Sequence, residues 1–540
     1  MKDISSTGSF IDFTLENFIY VDKTEYIPKL VKLKRVFISR PRRFGKSLTL
    51  DTIATLFETG VEPYFKGTWI YDKWTEPTYP VLRLNFLNFD KNSLEKFNNK
   101  LNSKITEFAE LNKVTTYKEK EEAEDSIDHL LEQLRLENRQ IVILIDEYDC
   151  QMTANINNET LYKQFQEKIK SFYANIKDKF AIKFLGITGV TRLKDVSIFS
   201  VGSDIRDITN ASAYSQMIGF TRDEIKKYYI DYLKLAASYE NNCTVDNVTE
   251  AQIESLLDRL AKNYDGYCFD EDYEKKVFST WSVNTFFKTM VGKKKVQFGE
   301  YWYDNGGLPS ILVNYLKTHE LNIFEYLDKD KFLKVSSDDF KNPTALTTIN
   351  QNVLMCQTGY LTLRSDLNKT STVALGIPNG EIYKALNRLL ANNIFKGNTD
   401  ITDDYGRSLL EVGTVDDIIN LFNSALNSVS YDNYPIVSES SVQNMLKLYL
   451  LGAHQKVLSE VHEAKGRADL VVNTDNRRIV FEFKYAKNDT EAKAKLPDAV
   501  EQIKTRDYGN IVPKKTELLR IAAVFNADPK VRAFTEYQEV

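Results

Sequence analysis

Cysteine and histidine are scarce in this chain of 540 residues, which contains four of each. The four cysteines are far apart along the sequence, and none of the histidines stands at a zinc-ligand spacing from them. These absences argue against a disulfide scaffold and against a zinc site of the finger type. We therefore predict a reduced, intracellular protein.

Long apolar runs are also missing. The start, MKDISSTGSFIDF, lacks the continuous apolar core of a signal peptide, and no stretch approaches the roughly 18 apolar residues of a membrane span. The 71 basic and 76 acidic residues give a net charge of −5, which excludes a uniformly basic coat for nucleic acid but permits a basic face. We expect a cytoplasmic protein without a membrane segment.

Basic residues crowd the stretch FISRPRRFGKSLTL (37–50), in which Gly45, Lys46 and Ser47 form the second half of a phosphate-loop motif. The preceding VFIS predicts a buried strand, and SLTLDTIATLFE predicts a helix from Ser47, so the three residues lie at a strand-to-helix turn. Free N–H groups at the start of a helix favour a phosphate. Arg40 stands where the motif has its first glycine, and a chance Gly-Lys-Ser tripeptide is the alternative interpretation.

A second buried strand is predicted by the apolar run IVILI in QIVILIDEYDC, which is followed by Asp146 and Glu147. Two carboxylates at a strand end can hold magnesium through water and polarise an attacking water. A third predicted strand, FAIKFLGITGV (180–190), ends in Thr188, whose hydroxyl is a candidate sensor of a γ-phosphate. The alternative for the two carboxylates is an ordinary solvated strand end.

Charged residues interrupt two apolar strands in the last third of the chain, GRADLVVNTDNRRIVFEFKYA (466–486). If the Asp-Asn pair of TDNR forms the centre of a tight hairpin turn, the numbers of paired residues sum to 951, and Asp469 faces Glu482. Lys484 lies on the same face as Glu482 because side chains alternate along a strand. Valines share that face, so neither face of the hairpin is simply solvated.

Two carboxylates that converge in such a place repel each other unless they share a cation. We therefore predict that Asp469 and Glu482 hold Mg²⁺, which lowers the pKa of a bound water, while Lys484 orients that water or helps to deprotonate it. The chemistry implied is metal-assisted phosphodiester hydrolysis. The alternative is an edge hairpin with a Glu–Lys surface pair.

The motifs YVDKTEYIPKL, SRPRRFGKSL, LIDEYD, TGVTRLKDVSIFS and GFTRDEI together resemble the AAA-ATPase-like family, whose loop commonly reads R-P-R-R-F-G-K-S. In that family the missing first glycine is the usual form. The resemblance implies that Lys46 and Ser47 are the Walker A lysine and magnesium-side hydroxyl, and that Asp146 and Glu147 are the Walker B pair. It leaves Asp149 unassigned.

The predicted ATP site has three kinds of residue. Arg43, Gly45 and Thr188 join Lys46 and Ser47 as nucleotide contacts. The predicted magnesium ligands are Ser47 and Asp146, and Asp146 also belongs with the nucleotide contacts. Glu147 is predicted to be catalytic. The predicted cofactors are therefore ATP and Mg²⁺.

The D-x(12)-E-x-K arrangement resembles the PD-(D/E)XK nuclease superfamily, in the form that follows an AAA-ATPase-like domain. On this resemblance Glu439, at the head of the helix ESSVQNMLKLYLLGA, matches the glutamate of the family's N-terminal helix. Gln502, in AVEQIKTRDYG, matches the glutamine on the helix after the hairpin. Both are added to the predicted catalytic residues, although Gln443 stands where a histidine is often found.

Aromatic segments marked by glycine fill the middle of the chain, which is otherwise rich in helical periodicity. They read NYDGYCFD, WSVNTFF, GGLPSIL and CQTGYLTL, and they match the region that links the two modules in the same family. We interpret them as core and turns rather than as a cofactor site.

The predicted fold class is α/β throughout the two modules: a P-loop, AAA-ATPase-like domain (1–215), a largely helical lid or connector (216–400) and a C-terminal α/β restriction-endonuclease-like domain (401–540). The leading hypothesis is an ATP-binding protein with a magnesium-dependent nuclease domain that acts on DNA. A second hypothesis is a nucleotide-dependent switch that binds nucleic acid or a protein without cutting. A third is an oligomeric ATPase of mobile-element or defence systems, with Arg192 a weak candidate for an arginine supplied in trans.

Overall fold

The computed structural model describes most of the chain. The described residues are 1–176, 179–193, 204–304, 310–316, 319, 322–343, 345–369, 371–395, 404–453, 455–463, 466–506 and 517–540. Within these ranges, every helix is too short or too polar to cross a membrane.

Two compact units make up the chain. One comprises Met1–His319 and Phe332–Ile382, and the other comprises Glu320–Lys331 and Tyr383–Val540. The first unit holds a parallel α/β sheet and the helical middle, and the second holds a mixed sheet with its own helices. The predicted fold class is therefore confirmed, while the domain boundaries at residues 215 and 400 stay a prediction.

Helices and strands alternate in the first unit. The helices that begin in it are α1 Phe10–Leu15, α2 Ile27–Leu33, α3 Lys46–Thr59, α4 Leu94–Leu111, α5 Ala123–Leu136, α6 Cys150–Ala154, α7 Glu159–Ile176, α8 Arg222–Tyr228, α9 Ile230–Asn241, α10 Glu250–Tyr264, α11 Thr280–Lys293, α12 Tyr301–Asp304, α13 Ser310–Leu316, α14 Ser337–Lys341, α15 Gln351–Gln357 and α16 Gly380–Ile394. Its strands are β1 Arg35–Ser39, β2 Val81–Asn85, β3 Ile141–Asp146, β4 Ile182–Gly189, β5 Arg206–Asp207, β6 Leu333–Ser336, β7 Thr362–Leu363 and β8 Thr372–Gly376.

The parallel sheet has the strand order β2-β3-β4-β1-β5. Strands β1 and β3 are buried at every residue, as expected of apolar runs covered by helices on both faces. The three strands predicted from VFIS, IVILI and FAIKFLGITGV are confirmed, and the predicted helix starts one residue early, at Lys46. Since parallel strands end at one edge of a sheet, the residues that follow β1, β3 and β4 meet there.

The helical middle of the first unit has its own apolar core. Helices α8, α9, α10 and α11 contribute to this core, which confirms the amphipathic helices predicted from DEIKKYYIDYLKLAA and ESLLDRLAKNY. A small antiparallel sheet of order β6-β8-β7 lies in the same unit. Residues 306–309 of the GGLPSIL segment lie outside the described residues.

The second unit is built on a mixed sheet. Its further helices are α17 Asp404–Val412, α18 Val415–Asn427, α19 Glu439–Gly452 and α20 Asp489–Arg506, and its strands are β9 Lys456–Glu463, β10 Gly466–Asn473, β11 Arg477–Ala486, β12 Glu517–Asn526 and β13 Ala533–Glu539. The strand order is β13-β12-β11-β10-β9, with β11 and β12 parallel and the other neighbours antiparallel.

The hairpin of β10 and β11 has the predicted register. Leu470 pairs with Phe481 and Val471 pairs with Val480, so the paired numbers sum to 951. One face, which carries the two valines, packs against Ala499 and other apolar residues of α20. Aromatic rings cover the opposite face, where Phe481 lies 5.3 Å from the ring of Phe422 and 5.5 Å from that of Phe483. Both faces are therefore covered along these pairs, and the Glu482 carboxylate of the hairpin is buried.

Candidate functional sites

The phosphate-loop motif lies at the carboxyl end of β1, as predicted. Gly45 adopts a φ of +104° immediately before α3, a conformation that L side chains rarely adopt. The Lys46 ammonium is buried and donates to the carbonyl oxygens of Arg40 at 3.1 Å and Pro41 at 3.3 Å. It also lies 3.5 Å from Oε1 of Glu147. The ammonium is thus held inside the loop by two neutral acceptors and one carboxylate, and a phosphate would be a stronger partner than the carbonyls.

Asp146 joins the ends of three elements. The hydroxyl of Ser47 at the start of α3 donates to its Oδ2 at 2.6 Å, and the hydroxyl of Thr188 near the end of β4 donates to its Oδ1 at 2.5 Å. Asp146 is 6% exposed. A buried carboxylate beside a hydroxyl is the oxygen-rich setting that Mg²⁺ prefers, so these residues fit the ion.

Glu147 follows directly in the left-handed region, with a φ of +52°. A non-glycine residue is strained there, and such strain is typical of functional sites. The turn leaves the Glu147 carboxylate at the edge of the cavity beside Lys46, and its side chain is 17% exposed. A carboxylate in this place can accept a hydrogen bond from a water molecule in the cavity.

Asp149, to which the sequence assigned no role, ties two strand ends together. Its buried carboxylate accepts bonds from the backbone N–H of Val190 at 3.3 Å and of Thr191 at 2.7 Å, and from the Thr191 hydroxyl at 2.6 Å. Burial raises the pKa of Asp149, as does the charge of Glu147. An added Cβ at Gly189 would lie 2.7 Å from Oδ1 of Asp149, so the strand approaches closely. Asp149 therefore has a structural role beneath the site.

We predict that Asp149→Ala lowers the free energy of unfolding by about 3 kcal/mol, because three buried donors lose their acceptor at about 1–3 kcal/mol each, partly compensated by relaxation. Denaturant unfolding followed by circular dichroism measures the change. Asp149→Asn, which keeps acceptor oxygen in place, is expected to lose less. Equal stability of Asp149→Ala and wild type would contradict this role.

A cavity of about 550 Å³ adjoins the loop, a volume in the range of small-molecule sites. Beside loop residues its lining includes apolar side chains of the N-terminal segment and of residues 217–220. These apolar residues are Phe13, Ile19, Val21, Ile27, Met217 and Phe220. The cavity thus joins the phosphate-loop motif at one end to an apolar end, an arrangement that suits a nucleotide. The lining by the N-terminal segment was not predicted, although the motif YVDKTEYIPKL pointed to that segment.

Lys23 connects two of the motifs that resemble the AAA-ATPase-like family. Its ammonium donates to the Gln216 carbonyl at 2.7 Å and pairs with Glu224 at 2.6 Å, so YVDKTEYIPKL is tied to GFTRDEI. Burial lowers the pKa of Lys23, and the charge of Glu224 opposes that shift. Glu224 in turn closes a capping box with Thr221 at the start of α8. The two motifs together hold one wall of the cavity.

The arginines near the loop are engaged within the chain. The guanidinium of Arg43, a predicted nucleotide contact, donates to the carbonyl oxygens of Tyr301 and Trp302, each at 2.9 Å. Arg192 forms an ion pair with Asp207 of the same chain and is 22% exposed. The sequence did not predict either contact, and the partners of Arg43 are more than 250 positions away along the chain.

The hairpin brings Asp469, Glu482 and Lys484 together. Oδ2 of Asp469 accepts a bond from the Phe483 backbone N–H at 2.8 Å, which fixes that carboxylate against β11. The Lys484 ammonium lies 2.8 Å from Oε1 of Glu482 and 3.6 Å from Oε1 of Glu439 at the start of α19. Burial alone lowers the pKa of Lys484, but Glu482 and the neighbouring carboxylates raise it above its ordinary value. Lys484 is therefore an ammonium at neutral pH.

Glu482 has an unusual environment for a carboxylate. Its side chain is 1% exposed, and its Oε2 makes no hydrogen bond with any residue that the structure describes. Burial, followed by the charge of Asp469, raises its pKa to about 7. A buried carboxylate oxygen without a partner fits a divalent cation, which would supply the missing partner. Within the described ranges no three His, Cys, Asp or Glu side chains converge on one metal position, so water would complete the ligands of the Asp469–Glu482 pair.

We predict that binding of Mg²⁺ at this pair weakens below pH 7, because the proton on Glu482 competes with the ion. Below a pKa of about 7, the affinity is expected to fall by about tenfold per pH unit, and above it to level off. Calorimetric titration of Mg²⁺ without nucleotide, between pH 5.5 and 8.5, measures this dependence. A flat profile through pH 7, or the same profile in Glu482→Gln, would contradict it.

The two glutamines that the sequence singled out lie on α19 and α20. The buried Gln443 of α19 donates from its side chain to the backbone carbonyl of Asp469, and so fixes β10 at that position. Gln502 lies half-buried on α20, and its catalytic role stays a prediction. The role of Gln443 was missed because its partner is a backbone atom, which no sequence motif specifies.

Comparisons with known proteins give two family matches. Residues 5–199 match the AAA-ATPase-like family, whose description is "Predicted AAA-ATPase", and residues 437–534 match the PD-(D/E)XK nuclease superfamily. The chain carries both domains, which confirms the two resemblances seen in the sequence.

Similar proteins and structures are as follows. Over 534 residues the chain is 26% identical to the "Uncharacterized protein in vnfD 5'region" of Azotobacter chroococcum mcd 1, with 95% of this chain and 94% of the relative covered. Cdc6p from Pyrobaculum aerophilum has a TM-score of 0.23 and 11% identity, with 68% of this chain and 93% of its own covered. The Aeropyrum pernix ORC2 protein has a TM-score of 0.25 and 11% identity, with 67% and 91% covered.

Proposed function

For a chain that carries an AAA-ATPase-like domain and a PD-(D/E)XK nuclease superfamily domain, we propose that it binds and hydrolyses ATP and cleaves DNA phosphodiesters with the help of Mg²⁺. The observation that carries the nuclease half is the buried, unpartnered Oε2 of Glu482 between Asp469 and Lys484. A hairpin that was only a structural edge would have no reason to bury such a group. DNA as the substrate follows from the superfamily.

The ATP half of the proposal depends on the loop and on the side chains of Asp146, Glu147 and Thr188 beside it. The ammonium of Lys46 leaves the carbonyls of its own loop and contacts the β- and γ-phosphates. Ser47 and Asp146 would hold the Mg²⁺ of the nucleotide, which would neutralise charge on the phosphates. Glu147 orients the attacking water, and Thr188 lies close enough to Asp146 to report the γ-phosphate.

In the nuclease half, Asp469 and Glu482 would hold Mg²⁺, which supplies a water of lowered pKa and neutralises charge on the phosphate when bound. Lys484 carries a full positive charge, so it orients the attacking water and stabilises the pentacovalent phosphate rather than removing a proton. Glu439 holds the ammonium of Lys484 from the other side. Gln443 fixes the backbone that carries Asp469.

The experiment that tests the function is cleavage of linear and circular DNA by the wild-type chain with Mg²⁺, with and without ATP. Cleavage that EDTA abolishes supports the nuclease, and a difference between the two nucleotide conditions shows that ATP controls it. Absence of cleavage under every condition, together with measurable ATP binding, would favour a nucleotide-dependent switch that binds nucleic acid or a protein partner without cutting.

A further inference from the structure

Aromatic segments to which no chemistry was assigned surround the outer side of the phosphate loop. They are NYDGYCFD (263–270), WSVNTFF (281–287) and CQTGYLTL (356–363), joined by Tyr301 and Trp302 of α12. We name these residues the loop collar. Sequence reasoning treated the segments as core and turns, and the structure shows that the loop R-P-R-R-F packs against them.

Arg43 makes the largest number of polar contacts with the collar. Its backbone carbonyl accepts bonds from the Thr280 hydroxyl at 2.9 Å and the Trp281 N–H at 3.3 Å. Its guanidinium lies 4.9 Å from the centre of the Trp281 ring and donates to the carbonyls of Tyr301 and Trp302. Main chain and side chain are thus both fixed by residues more than 230 positions away.

The neighbours of Arg43 in the loop are fixed in the same way. The ring of Phe44 is edge-on to Tyr267 at 4.7 Å and to Phe269 at 5.4 Å. Arg40, which replaces the first glycine of the motif, is buried with its guanidinium 4.2 Å from the Phe269 ring, and it donates to the Thr209 carbonyl at 2.6 Å. Burial lowers the pKa of Arg40 to about 9. The guanidinium of Arg40 is therefore bound to carbonyls and a ring.

Gly359 marks the closest approach of the collar to the loop. Its φ is +91°, and an added Cβ would lie 2.9 Å from Cβ of Pro41 and 3.0 Å from the ring of Trp302. Either distance is tighter than ordinary packing, so only glycine fits between the loop and α12. Gly359 does not line the nucleotide cavity. A change there reaches the cavity only through the loop.

The backbone of the loop explains why such support is needed. Arg43 has a φ of +69°, a left-handed conformation that is unfavourable for a residue with a Cβ. A glycine reaches such a conformation without cost, whereas this loop has an arginine at the left-handed position 43. Contacts from outside must therefore hold it in the shape that binds phosphate.

We propose that Arg43 is a positioning residue of the ATP site, and that the loop collar holds the phosphate loop in its binding conformation. This inference rests on the proposed ATP binding and changes the role predicted for Arg43, from a phosphate contact to an anchor. Because coupling between sites is reciprocal, bound nucleotide stabilises the collar as much as the collar stabilises binding. A change of nucleotide therefore changes the stability of the loop collar, which belongs to the helical middle of the unit.

The test adds a single methyl group at a position that does not line the cavity. Gly359→Ala is compared with Gly292→Ala, a matched change in α11, where an added Cβ has open space. We expect the Kd of Gly359→Ala for MgATP to rise by about tenfold or more, the cost of a strained residue and a displaced loop, with binding of adenosine unchanged. Adenosine lacks the phosphates that the loop holds. Gly292→Ala is expected to bind both ligands like wild type.

The outcomes separate the proposals. If wild type binds no MgATP, the proposed ATP site fails and the inference falls with it. If wild type binds MgATP and folded Gly359→Ala binds it equally well, while Arg43→Ala binds it weakly, Arg43 is a direct phosphate contact and the inference is overturned. Should Gly359→Ala fail to fold, hydrogen exchange in the wild-type chain is measured instead. Protection of residues 263–302 and 356–363 on adding MgATP supports the coupling between the loop collar and the phosphate loop. Unchanged exchange in those residues overturns it.

Discussion

Lys46→Ala is expected to reduce ATP hydrolysis to background and to weaken MgATP binding by about a hundredfold or more. The Lys46 ammonium is the cation that the loop holds at the cavity, and its present partners are two carbonyls and Glu147 at 3.5 Å. Losing a charge-assisted contact to phosphate, at about 1.5–3 kcal/mol in binding, accounts for most of this loss, and the transition state loses more because its charge is greater. Turnover of ATP and fluorescent-nucleotide titration measure the two quantities.

The fold is expected to survive this change, because two of the three partners of Lys46 are neutral groups of its own loop and the third, Glu147, is partly exposed to water. Lys100→Ala, at an exposed lysine of α4 outside the cavity, is the matched control and is expected to behave like wild type. Unchanged turnover in Lys46→Ala would contradict the assignment of residues 40–47 as a phosphate loop. Loss of the thermal transition in the variant would show instead a structural role for the lysine.

Local pattern was sufficient to predict much of the fold. The β-branched runs before Arg40 and Asp146 are strands because they are apolar, short and covered by helices. The register of the β10–β11 hairpin followed from a single two-residue turn, since alternation then fixes every pair down to Leu470 and Phe481. These features depend on neighbours within about fifteen residues, which a sequence shows directly.

What the sequence could not show depends on distant backbone atoms. Asp149 had no role in the sequence, yet it accepts bonds from the N–H groups of Val190 and Thr191 after another strand. Gln443 looked like a departure from a family pattern, yet it binds the carbonyl of Asp469. Backbone donors and acceptors are the same for nearly every residue type, so no pattern of side chains reveals which of them will meet.

Arg43 illustrates the same limit at the ATP site. From spacing it lies among residues that contact phosphate, and its charge suits that role. In the structure its guanidinium instead donates to backbone carbonyls of α12. The aromatic segments that the sequence indicated as ordinary core lie around it. The site residues assigned in the sequence are therefore close together, but the loop that carries them is shaped by a part of the chain that no phosphate-loop motif includes.

Asp469→Ala is expected to abolish magnesium-dependent DNA cleavage, by a factor of about a thousand or more, with ATP turnover unchanged. Asp469 supplies one of two carboxylates for the ion, and its other effect is to raise the pKa of Glu482. Without it the ion loses a ligand and Glu482 becomes more acidic, so Lys484 keeps its partner but the attacking water loses its activation. Cleavage of plasmid DNA under single-turnover conditions measures the loss.

The matched control is Asp498→Ala, at an exposed carboxylate of α20, which is expected to cleave like wild type. Lys484→Ala distinguishes the two roles within the site. At the alkaline end of the titration, where Glu482 is ionised in the variant as well, it should bind Mg²⁺ at least as well, because an ammonium no longer competes for Glu482, and yet fail to cleave. If Asp469→Ala cuts DNA as fast as wild type, the hairpin is not the nuclease site. If it loses cleavage while ATP turnover persists, the two activities belong to separate sites in one chain.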